Sequence, residues 1–113
     1  MSKYDENNIF AKILRGEIPS SKVYEDDKVL AFHDIYPMAS THVLVIPKGN
    51  YINLEDFTQN APSEVISHYF KKVAEIAKLL NLDDNVRILA NTGEKSGQTI
   101  FHFHTHIMSE KHT

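Results

Sequence analysis

Apolar and polar positions alternate along this chain with two different periods, one helical and one extended. After Asn7-Asn8, the apolar Ile9, Phe10, Ile13 and Leu14 share one face, which predicts a short capped helix ended by Gly16 and Pro19. Residues 22–24 and 29–32 read as short strands separated by the acidic turn Glu25-Asp26-Asp27, and Tyr36-Pro37 reads as a further turn. The run His42-Val43-Leu44-Val45-Ile46-Pro47 is the strongest strand pattern, β-branched and stopped by proline. Over residues 62–80, Val65, Ile66, Tyr69, Phe70, Val73, Ile76, Ala77 and Leu80 recur at three- and four-residue steps, which predicts a long helix with one broad apolar face. Pro62 and Glu64 suit its first turn, Lys78 and Asn81 its last turn and cap. Strands are predicted at 86–90 and 99–108, joined by a loop over 91–97. The pattern implies one α+β domain over 1–113, a mostly antiparallel five-stranded sheet with one long and one short helix, the long one on one face. Residues 1–7 are expected to form a flexible N-terminal tail and 109–113 a short C-terminal one.

Composition narrows the class. The chain has 113 residues, 42% of them apolar and 24% charged, ordinary values for a globular domain with a single core. The longest clean apolar run, Val43-Leu44-Val45-Ile46, is far short of the roughly 18 residues of a membrane helix. The opening Met1-Ser2-Lys3-Tyr4-Asp5-Glu6 is polar and acidic, so no signal peptide is expected. Zero cysteines exclude disulfides and thiolate metal sites and fit a reducing compartment, which makes the cytoplasm the expected location. A net charge of −3 with no Lys or Arg cluster gives a nucleic-acid backbone little to bind.

Seven histidines, at 33, 42, 68, 102, 104, 106 and 112, change the picture. Imidazole titrates near neutrality, so its concentration points to chemistry. In Phe101-His102-Phe103-His104-Thr105-His106-Ile107-Met108, three of them fall at i, i+2 and i+4. On an extended chain they project from one side, and Phe101, Phe103, Thr105 and Ile107 from the other. Two chemistries fit this row, metal chelation and phosphoryl or acyl transfer; a surface strand or tag-like tail is the bland alternative. The ends of the row lie about 13 Å apart on a strand, too far to share one ion without distortion.

The run His102-Phe103-His104-Thr105-His106-Ile107-Met108 resembles the His-φ-His-φ-His-φ-φ signature of the histidine triad (HIT) superfamily of nucleotide hydrolases and transferases. Ile9-Phe10-Ala11-Lys12-Ile13, Glu17-Ile18-Pro19, Tyr24-Glu25-Asp26 and Leu30-Ala31-Phe32-His33-Asp34-Ile35 are similar to its Hint branch. So are Thr41-His42-Val43-Leu44-Val45-Ile46-Pro47-Lys48 and Gly97-Gln98-Thr99, so the resemblance covers nearly the whole chain.

The resemblance implies a HIT-like fold and hydrolysis of the P–N bond of purine nucleoside phosphoramidates, conjugates of AMP or GMP, with no cofactor and no metal. It implies His104 as the nucleophile forming a nucleotidyl-histidine, with His106 and His42 as supporting donors and His102 behind them. His104 must be neutral, with its other ring nitrogen donating to a carbonyl near His102. Ile9, Phe10, Ile13, Phe32, His33, Asp34 and Ile35 would form the nucleoside pocket, Asp34 accepting from the ribose hydroxyls. Asn91, Gly97, Gln98 and Thr99 would lie at the phosphate. His68 and His112 match no motif and are expected to be solvated. A homodimer with sheets continuing across the interface and the long helix packed there is also implied. Thr105 departs from the family's usual apolar residue. Only seven residues follow His106, fewer than in the animal Hint proteins, so leaving-group preference does not carry over. A dinucleoside polyphosphate hydrolase of the same superfamily and a nucleotide-binding regulatory module are the rival expectations.

Overall fold

The computed structural model describes residues 3–82 and 84–110. Its elements are α1 (Ile9–Leu14), β1 (Lys22–Glu25), β2 (Val29–His33), β3 (Thr41–Pro47), α2 (Leu54–Asn60), α3 (Ser63–Leu79), β4 (Arg87–Leu89) and β5 (Thr105–Ser109), with a single 3₁₀ turn at Glu94–Ser96. The strands form one sheet in the order β1-β2-β3-β5-β4, and every neighbouring pair is antiparallel.

Alternation along β2 and β3 gives the sheet its two faces. Val29, Ala31, Val43 and Val45 point towards α3 and join Phe57, Tyr69, Val73, Ile76, Phe103 and Ile107 in the larger core. Leu30, Phe32, Leu44 and Ile46 point the other way and pack with Phe10 of α1. The helix α3 buries Tyr69, Val73, Ile76 and Ala77, the stripe its period predicted. The Tyr69 hydroxyl donates to the Val45 carbonyl (2.8 Å) and accepts from Thr105 Oγ1 (2.7 Å), fixing α3 to the two central strands. Thr105 is therefore a paired core residue, which is how a polar side chain is accommodated on this face.

Several expectations need correction. The last strand begins at Thr105, not at 99. Val45 pairs with Thr105, so continuing the ladder would bring residue 103 opposite Pro47. Pro47 has no N–H to give, and its carbonyl accepts from His102 Nε2 at 2.9 Å instead. Phe103 sends its own N–H to the Tyr51 carbonyl (2.7 Å). A third α-helix, α2, joins the two expected ones; Asn53 caps it by accepting from Asp56 N–H, and only Phe57 on it is buried. Ser109 belongs to β5 and not to a tail. Within the stretch expected as an N-terminal tail, the Tyr4 hydroxyl bonds to His102 Nδ1 (2.6 Å). His68 is not merely solvated: its Nε2 lies 2.7 Å from Asp26 Oδ2. That carboxylate also receives the Tyr24 hydroxyl and the Lys28 and Val29 N–H groups, which hold it well below the usual carboxylate range. His112 lies outside the described residues. Among the described residues, no helix is long and apolar enough to cross a membrane.

Candidate active site

The site lies on the α1 side of the sheet. Phe103 and Thr105 pack towards α3, so the alternate residues His102, His104 and His106 face α1 even though only His106 is within β5. The Phe10 ring meets His104 edge-on at 4.9 Å and His102 at 6.3 Å between centroids, and the His104 and His106 rings are 5.0 Å apart. His42 enters the same face from the start of β3, where its neighbour on β5 is Met108 and where Leu44 lies opposite His106.

Hydrogen bonds to backbone groups, which can only donate or only accept, fix the tautomers of His102, His104 and His42, and His42 then fixes that of His106. The His102 carbonyl, 2.7 Å from His104 Nδ1, requires a proton there and leaves the His104 Nε2 lone pair free. The Pro47 carbonyl likewise places the His102 proton on Nε2, so its Nδ1 accepts from the Tyr4 hydroxyl. The Met38 N–H donates to His42 Nδ1 (3.0 Å), which puts the His42 proton on Nε2. His42 Nε2 then donates to His106 Nδ1 (2.9 Å). His106 must carry its own proton on Nε2, and that buried atom has no partner among the described residues. One ring thus shows a lone pair and its neighbour an unused N–H.

Burial favours the neutral form of His102, His104 and His106. Desolvation pushes His102 down to about 4, and burial together with the proximity of His104 and His42 pushes His106 to about 4. His104 is also lowered by burial, with its bond to the His102 carbonyl acting in the opposite direction. Asp34 Oδ2 lies 3.5 Å from His42 Nε2, and its Oδ1 accepts from Tyr36 N–H in the turn that follows.

Asp34, His42 and His106 bring three possible ligand atoms within 4.8 Å of one another. The donor set does not fit a resident metal, because Met38 N–H already occupies the His42 Nδ1 lone pair and a neutral His42 then has none left on Nε2.

A cleft of about 220 Å³ opens beside the row. Of the residues expected to bind nucleotide, it is lined by Ile9, Phe10, Ile13, Phe32, His33, Asp34, Ile35, Thr99, His104 and His106. His42 and His102 lie behind that wall, 3% and 0% exposed. Asn91, Gly97 and Gln98 are not brought into the lining. The Gly97 and Gln98 N–H groups go to the Glu94 and Gly93 carbonyls. The buried Gln98 amide donates to the Ile52 and Ile100 carbonyls and accepts from Gly93 N–H, so it ties the loop together. The lining also includes Ile18, Pro19, Ser20, Ser21, Tyr36, Leu44 and Ile100, which were not among the expected site residues. Leu44 was within reach of the period-two rule, two residues after His42 on the same face.

A family model described as "HIT domain" matches residues 15–113. The chain is 49% identical to an uncharacterised HIT-like protein of Rickettsia prowazekii over 109 residues, 96% of this chain and 91% of that one. A HIT family hydrolase from Clostridium thermocellum superposes with a TM-score of 0.82 at 33% identity, covering 95% of this chain and 93% of the other. A histidine triad nucleotide-binding protein from Candida albicans does so with a TM-score of 0.82 at 36% identity, covering 94% and 76%.

Proposed function

The chain belongs to the HIT family, and from that premise we propose that it is a nucleotide hydrolase that cleaves the P–N bond of purine nucleoside phosphoramidates. The observation that carries this reading is the His104 tautomer: Nδ1 donates to the His102 carbonyl, so Nε2 keeps its lone pair on a ring that lines the cleft. The nucleoside occupies the apolar end formed by Ile9, Phe10, Ile13 and Phe32, with the Asp34 carboxylate accepting from the ribose hydroxyls. His104 Nε2 attacks the α-phosphorus, a nitrogen–phosphorus bond forms to the imidazole, and the bond to the substrate amine breaks. The departing nitrogen takes a proton at His106 Nε2, with His42 holding that ring in place. Water then attacks the phosphorus, releases AMP and frees His104; the proton lost by water replaces the one that left with the amine.

The dinucleoside polyphosphate alternative is less well supported. No Lys or Arg is among the residues lining the cleft, which suits one phosphoryl group of low charge better than a polyphosphate chain. The reading includes the cytoplasm as location, from the absence of cysteine, and a homodimer built on the β4 edge of the sheet. Support for the dimer comes from the exposed Ile88 on that edge and the groove beside it, where Ala74, Leu82 and Val86 lie among the polar Lys78, Asn81 and Asp84. The buried stripe of α3 packs on its own sheet, so a partner would meet the outer side of that helix.

The test is AMP release from an adenosine phosphoramidate with chelator present. Wild type is expected to turn over, and His104→Ala to lose turnover while still binding AMP. Binding of AMP without turnover by wild type would replace this reading with the regulatory module.

A further inference from the structure

His102 is fully buried, and its carbonyl and both ring nitrogens each have one partner. Two of these partners belong to the site and its sheet: the Pro47 carbonyl, and His104, whose Nδ1–H the His102 carbonyl accepts. The third is Tyr4, 98 positions away in sequence, whose hydroxyl reaches His102 Nδ1 at 2.6 Å while its ring meets the imidazole edge-on at 5.6 Å. Burial pushes the Tyr4 phenol up, so it stays protonated at neutral pH and donates.

The segment that carries Tyr4 is built to hold it. Asp5 Oδ1 accepts from Asn7 N–H (2.9 Å), and the Asp5 carbonyl accepts from both Asn8 N–H (3.1 Å) and Asn8 Nδ2 (2.7 Å). The Glu6 carbonyl accepts from an Arg15 guanidinium N–H (2.8 Å). Asn8 in turn caps α1 by accepting from Ala11 N–H, and α1 carries Phe10 onto His104. Tyr4 and Phe10 thus contact the two consecutive members of the row from one short stretch of chain.

We propose that Tyr4 is a positioning residue that locks the His102 ring and, through the His102 carbonyl, holds His104 aligned for attack. This rests on the reading of His104 as the nucleophile. Removing the hydroxyl leaves a buried lone pair without a donor. The His102 ring and the main chain that bears it then lose one of their fixed points, and the His104 Nδ1–H bond is made to that same residue. Orienting groups of this kind commonly affect rate more than binding.

The experiment compares wild type with Tyr4→Phe, which keeps the ring contact and removes only the O–H. Single-turnover transfer of the nucleotidyl group to His104 from an adenosine phosphoramidate is expected to slow on the order of 10-fold. AMP affinity is expected to stay within about twofold. Nitrogen NMR of the histidine rings gives a readout independent of activity: the His102 Nδ1 and His104 Nδ1–H resonances shift in the variant, while those of His42 and His106 hold still. An unchanged transfer rate, or unchanged His102 and His104 resonances, overturns the proposal. If wild type itself does not turn over the phosphoramidate, the functional reading fails, and the ring resonances alone then decide whether Tyr4 holds His104.

Discussion

One peptide N–H determines which nitrogen His106 presents to the cleft. Met38 N–H fixes His42, His42 fixes His106, and the result is the unpartnered His106 Nε2–H. Met38→Pro removes that donor and is expected to lower turnover on the order of 10-fold or more, while Met38→Ala, which keeps it, leaves turnover near wild type; steady-state kinetics on both checks this. With His104 as the proposed nucleophile, its lowered value favours the neutral ring, so the acid limb of kcat/KM should lie below the ordinary imidazole value of about 6.5. The same shifts govern stability. His102 is held at about 4 in the folded state against about 6.5 unfolded, so between those values the unfolded chain binds more protons. Its contribution is fully present above pH 6.5 and is lost as pH falls towards 4, by about 3 kcal/mol at roughly 1.4 kcal/mol per unit. Thermal midpoints measured from pH 7 to pH 4 should therefore fall, and His102→Asn should flatten the fall. At this scale the histidine row was legible, because alternation alone sends His102, His104 and His106 to one side. Tyr4 and Met38 were not: one acts through a contact across the fold, the other through a main-chain group that every residue but proline carries.

The elements divide along the same line between local and distant causes. Helix α3 was legible because seventeen residues carry an unbroken period and bury one stripe. Helix α2 was not, because seven residues with Phe57 as their single buried member show no period; its signal was the Asn53 cap and the reach of Asp56 back to Ile52 N–H. Asn53→Ala should therefore destabilise the protein by about 1 kcal/mol in urea unfolding. The start of β5 was misplaced by six residues, since the extended chain from 99 onwards looks like a strand until Pro47 is known to face it. Tyr69→Phe, which strips the shared hydroxyl from Val45 and Thr105 while keeping the ring, should cost roughly 1–3 kcal/mol by the same measurement.

At the scale of the whole molecule, the homodimer proposed above would be built on the β4 edge of the sheet. Among the described residues that edge has no pairing strand and carries the exposed Ile88, so on this proposal Ile88→Asp should shift the dimer to monomer in light scattering at equal concentration. The sheet separates α1, the cleft and the smaller core cluster on one side from α3 and the aromatic core on the other. From 102 to 107 those two duties alternate one residue at a time: His102, His104 and His106 serve the first side, Phe103, Thr105 and Ile107 the second. Such a stretch can diversify over generations by exchanging one side chain for another, but not by gaining or losing a codon. A single-residue insertion between Phe103 and His104 would turn His104 and His106 towards the core and Thr105 and Ile107 towards the cleft, disrupting the site and the packing together. Length variation in descendants of this chain should therefore gather in the loops and leave these six positions uninterrupted.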